Sequence, residues 1–129
     1  MNKARLAVVL VGVLLPYAAR LPRGADWIEQ YTSGGLSGAL FLGGFNAIAW
    51  SSILLVSLRY RRPASLLVPA ICGFGFLARA HYNLDLASDA QAAIALVFIP
   101  IYALPVIAIS GAIGYLLDRR LRVRHAAAD

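Results

Sequence analysis

Apolar residues run along this chain in four long blocks, separated by short polar stretches. A helix that crosses the hydrocarbon core of a bilayer needs roughly 20 mostly apolar residues, each adding about 1.5 Å. Four blocks reach that length, at 4–21, 36–58, 64–81 and 91–117. The second carries no charge, and the third has Arg79 near its end. In the first, the uninterrupted apolar run is residues 6–19. The pattern predicts an all-α fold: four transmembrane helices in a compact bundle, forming one transmembrane domain over 1–129. None of the tails and loops is long enough to fold alone in water, so function is expected in the bundle or on its loops.

Composition narrows the class further. The chain is 60% hydrophobic and 14% charged, with a mean hydropathy of +0.72. Soluble domains are about 45–50% apolar and about 25% charged. A chain of 129 residues has too much surface for its volume to hide such an excess in one core. These values exclude a water-soluble domain, a disordered tail and a disulfide framework; the chain has a single cysteine, Cys72.

The net charge of +6 is explained by topology. Lys and Arg favour the cytoplasmic side of a membrane. With the N-terminus inside, nine cations fall inside and three (Arg20, Arg23 and Arg79) outside. Both termini are therefore expected in the cytoplasm of a multi-pass protein of the bacterial cytoplasmic (inner) membrane. A nucleic-acid partner would require a basic patch on a soluble face, so none is expected. The lipid bilayer is the primary partner. The first block also resembles a signal peptide, but Tyr17 occupies the −3 position of the only cleavage point, after Ala19. A retained short helix is expected, with Arg5 and Arg20 reaching to the interfaces.

Within the blocks, the second is the most informative. Gly35, Ala39, Gly43, Ala47 and Ser51 form one i, i+4 ridge of small residues. In lipid, close backbone approach over small residues is what holds helices together. The ridge therefore marks helix packing within the monomer or contact with a homo-oligomer or membrane-protein partner. Asn46 is the one strongly polar side chain deep in a block. Its amide needs partners, either as an interhelical bond or, with Ser52, as a polar pocket. In the third block Cys72 is expected to be a buried apolar thiol. In the fourth, Pro100 and Pro105 are expected to kink the helix.

Two loops carry the remaining polar chemistry. In 79–91, Arg79, His81 and Asp85 are the outer-loop candidates, with Asp85 or a headgroup phosphate as a partner for Arg79. Ser88 and Gln91 match a capping box, which places Asp89 in the first helical turn. In 22–35, Asp26 and Glu29 flank Trp27 and Ile28, with Tyr31 following. That stretch reads as a short interfacial helix with its aromatic rings at headgroup depth.

No carboxylate or histidine lies within the four blocks away from their ends. Proton-coupled transport needs a titratable group in its pathway, and a haem needs axial ligands. Nucleotide loops, paired-cysteine metal motifs and nucleophile elbows are missing. No catalytic residue, metal site or cofactor is therefore expected. The expectation is a small non-enzymatic membrane protein acting through helix–helix or loop contacts, as an accessory, assembly or immunity-like subunit. The alternative is an oligomeric channel or small-molecule carrier lined by Asn46 and the fourth helix.

Overall fold

The computed structural model describes residues 1–127 and is all-helical over them. The order is α1 (Asn2–Ala18), a short 3-10 turn (Leu21–Arg23), α2 (Ala25–Thr32), α3 (Gly35–Ser57), α4 (Pro63–Asn83) and α5 (Ala92–Ala126). Four of these helices, all but α2, are long and apolar enough to cross a membrane. The expected blocks and the observed helices agree to within three residues at every end but one. α5 runs nine residues past 117, to Ala126, and passes unbroken through Pro100 and Pro105.

The four long helices alternate in direction. Arg5 at the start of α1 donates from Nε and from its terminal nitrogen to the hydroxyl and carbonyl of Ser57, each at 3.0 Å. The N–H groups of Arg61 and Arg62, just before α4, reach Asp118 near the end of α5. One end of the bundle thus gathers the start of α1, the end of α3, the start of α4 and the last turns of α5. The other end carries α2 and the 84–91 loop.

α5 is the hub, packing most extensively on α4 and then on α3, while α1 lies against α3 and α4. Ala49, Ile53, Leu66, Leu77, Ala103 and Ile107 fill the middle. Glycine sets two of the closest approaches. A Cβ on Gly12 would stand 2.5 Å from the Trp50 ring, and one on Gly114 would stand 2.7 Å from the Ser65 carbonyl oxygen. Between α1 and α2 the chain turns at Gly24, whose φ of 96° lies in the region that side chains avoid. That turn folds α2 back over the end of α1.

Candidate functional site

Arg20 organises the end of the bundle that carries α2. The residue is fully buried, at 0% exposure, and does not reach out to an interface as its place in the sequence suggests. The fold-back of α2 encloses it. Nε donates to the Trp27 carbonyl at 2.6 Å. One terminal nitrogen donates to the carbonyls of His81 at 3.0 Å and Leu84 at 2.6 Å, and the other to Gln30 Oε1 at 2.6 Å. The Tyr31 and Trp27 rings face the guanidinium, with centroids at 3.9 and 4.7 Å. Tyr31 is thereby buried, while Trp27 is half-buried and also faces the exposed Arg23, at 4.4 Å.

The carbonyls of His81 and Leu84 belong to the last turn and C-cap of α4, where a helix leaves acceptors unpaired and carries a partial negative charge. Arg20 satisfies that end from another helix. Around it, Gln30 Nε2 donates to Asp85 Oδ1 at 3.0 Å, and the N–H of Leu86 donates to Gln30 Oε1 at 3.0 Å. Tyr31 Oη and His81 Nδ1 share a hydrogen bond of 2.7 Å. Burial pushes the Tyr31 phenol up to about 12, against the opposing pull of Arg20. His81 is itself fully buried, and its Nε2 has no hydrogen-bond partner among the described residues.

The outer-loop candidates are thus distributed differently from their sequence spacing. His81 meets Tyr31, and Asp85 meets Gln30 and the N–H of Ala87. Arg79 is exposed beside a shallow hollow with Ala19, Ala78 and Tyr82, and it does not pair with Asp85. The capping box is also displaced. Ser88 donates to the Asp85 carbonyl, while Asp89, still outside the helix, accepts from the N–H of Gln91 at 2.7 Å. The eight residues 84–91 are non-helical, so Ser88 and Asp89 both lie ahead of α5 and bond within the loop.

At the opposite end a second buried charge mirrors the first. Asp118 is fully buried. Its Oδ1 accepts from the N–H groups of Arg61 (3.2 Å) and Arg62 (3.0 Å) and from the Ser65 hydroxyl (3.1 Å). Its Oδ2 lies 3.2 Å from Arg122 Nε. Pro63 opens α4 and has no N–H of its own, so an anion supplied by α5 completes the entry turn. Next to it, Tyr60 donates to the Gly111 carbonyl at 2.7 Å; burial and the nearby Asp118 raise its phenol above the ordinary tyrosine value. The sequence pattern ended the last block one residue short of this carboxylate, which lies inside α5.

The second-block candidates separate. Asn46, 2% exposed, donates from Nδ2 to the Gly12 carbonyl at 2.6 Å and so ties α3 to α1. Ser52 donates to the Ile48 carbonyl of its own helix. Only part of the ridge faces outward from α3. Gly35 and Gly43 are exposed and Ala39, Ala47 and Ser51 half-buried; a Cβ on Gly38, Gly43 or Gly44 would have nothing within 4 Å. The inward face uses Leu42, Asn46, Ala49, Ile53 and Ser57 instead. Cys72 is exposed on the outer surface of α4, not buried. Compared with known protein families, curated proteins and solved structures, the chain has no match.

Proposed function

We propose that this chain is a four-span protein of the bacterial cytoplasmic membrane, with both termini inside, that works through helix–helix contact and without catalysis. Its role is that of an accessory, assembly or immunity-like subunit. The observation that carries this reading is the division of labour on α3. The inward face carries Leu42, Asn46, Ala49, Ile53 and Ser57, while Gly35 and Gly43 of the ridge, with Gly38 and Gly44 beside them, face open space. In a bilayer such a face favours close approach of another helix, because small side chains let backbones meet. The polar groups of the interior support the same reading. Arg20, Asn46 and Asp118 are all engaged in bonds between helices.

The test uses Cys72, the single and exposed thiol, as a labelling site. Donor- and acceptor-labelled copies reconstituted in vesicles should show energy transfer that rises with protein-to-lipid ratio. Gly43→Leu should reduce it several-fold with helix content unchanged, because a Cβ at this position has nothing of its own chain within 4 Å. Transfer equal to that of a non-associating membrane protein, and insensitive to Gly43→Leu, would remove self-association as the contact.

A further inference from the structure

A second feature of the outer surface lies at the end carrying both termini. There α3 and the turn after it pack closely on α5 at Val56, Tyr60 and Gly111, and along this seam lies a groove of about 690 Å³. Its walls include Leu55, Ala108, Ala112, Tyr115 and Leu116, and Arg59 is the one charged side chain that lines it. Arg59 is exposed, and its guanidinium has no partner among the described residues. At Leu116 the groove adjoins a second hollow of about 510 Å³, lined by Arg119, Arg120, Val123 and Arg124. The apolar groove thus meets an arginine-lined basin on α5 at Leu116.

From these features we infer that the α3–α5 groove seats one anionic glycerophospholipid, with an acyl chain along the groove and the headgroup phosphate on Arg59 and the adjoining arginines. Charge complementarity selects this occupant. The end holds nine cations against one described carboxylate, Asp118, which is buried and already bonded to Arg61, Arg62, Ser65 and Arg122. Length agrees as well. From Ala108 to Leu116, α5 rises roughly 12 Å, close to the roughly 15 Å depth of one hydrocarbon leaflet. A protein helix in the groove would fill the apolar part and leave the basin uncompensated; a phospholipid satisfies both. The inference rests on the membrane-spanning reading and is independent of the contact proposed for α3.

The experiment is native mass spectrometry of the full chain extracted from vesicles containing phosphatidylglycerol and phosphatidylcholine in equal amounts. The expected result is one retained lipid per chain, with phosphatidylglycerol preferred. Each Arg near a surface contributes about 1 kcal/mol towards an anionic lipid, a factor of about five. Arg59→Gln should therefore reduce the preference about fivefold, and Ala112→Phe, which fills the groove, should abolish retention. Arg79→Gln, at the far end, should change neither. Equal retention of both lipids, or wild-type retention in Arg59→Gln and Ala112→Phe, would overturn the site. A groove occupied by a second copy would appear as a dimer lost in Ala112→Phe, and would overturn it too. Failure of the spanning reading gives a different result, with the chain missing from the vesicle fraction altogether.

Discussion

Arg20 is the residue on which the end of the bundle carrying α2 depends. A buried cation is costly to leave unpaired, and no carboxylate forms an ion pair with it among the described residues. Four oxygen acceptors and two aromatic faces take that role. The planar fork of Arg reaches acceptors in several directions, while the ammonium of Lys is a point charge. Arg20→Lys should accordingly lower stability by about 3 kcal/mol, measured by denaturant unfolding in detergent followed by circular dichroism; a change below about 1 kcal/mol would show that the acceptors repack. Tyr31 gives a pH signature. A phenol whose pKa is higher in the folded protein contributes stability that is complete below about pH 10, its ordinary value. That contribution is lost as pH rises through about 12. Stability should fall across this interval, and Tyr31→Phe should flatten part of the fall. An unchanged profile in the variant would place the alkaline loss elsewhere, Tyr60 included. Little of this arrangement was legible beforehand. Arg20 reads as a cation at a span end because that is its local sequence; its burial comes from the Gly24 turn, a tertiary event. Trp27 and Tyr31 at i, i+4 form one aromatic face on α2, and that was the available signal.

Among the elements, α4 stands out because other helices complete both of its ends. Asp118 of α5 meets the N–H groups at its start, and Arg20, just past α1, meets the carbonyls at its finish. An anion at the first turn and a cation at the last both complement the helix dipole. The α4–α5 packing that aligns Asp118 depends on Gly114, where an added Cβ would press on the Ser65 carbonyl and the Tyr60 hydroxyl at 2.7 and 2.8 Å. A backbone oxygen cannot rotate away. Gly114→Ala should therefore cost about 1–3 kcal/mol, whereas Gly75→Ala, with open space around it, should be neutral or slightly stabilising. Thermal unfolding of the two variants side by side separates packing from helix propensity; equal shifts would mean that the contact relaxes. The helices themselves were readable from block length and hydropathy because apolar length is a local property. Their partners were not. The i, i+4 spacing that marks a ridge of small residues on α3 does not say which side of α3 faces the bundle, and the inward side proved to be the one carrying Leu42, Asn46 and Ile53.

For the whole molecule, the buried charges sharpen the argument about orientation. The cation bias between the two sides acts through Lys and Arg in the flanking segments. Arg20 is enclosed by α1, α2 and α4 and adds little to the surface charge of its end once the bundle has formed. Without it, the exposed cations at the end carrying α2 are Arg23 and Arg79, against six exposed and three half-buried at the other end. The antiparallel order of the four long helices fixes the start of α1, the short α3–α4 connection and the end of α5 to one side, so a single orientation has to serve all three. In a Cys72→Ser background, Glu29→Cys and Asn83→Cys should react with a membrane-impermeant maleimide in intact cells, since both positions are exposed at the end carrying α2. Arg61→Cys and Arg124→Cys should react only after the membrane is opened. Labelling of Arg61→Cys from outside would reverse the orientation while leaving the fold intact. Labelling of Glu29→Cys and Arg61→Cys on the same side would be incompatible with α3 as a span. That outcome would break the link between the helices seen in the fold and the membrane-spanning function proposed for them.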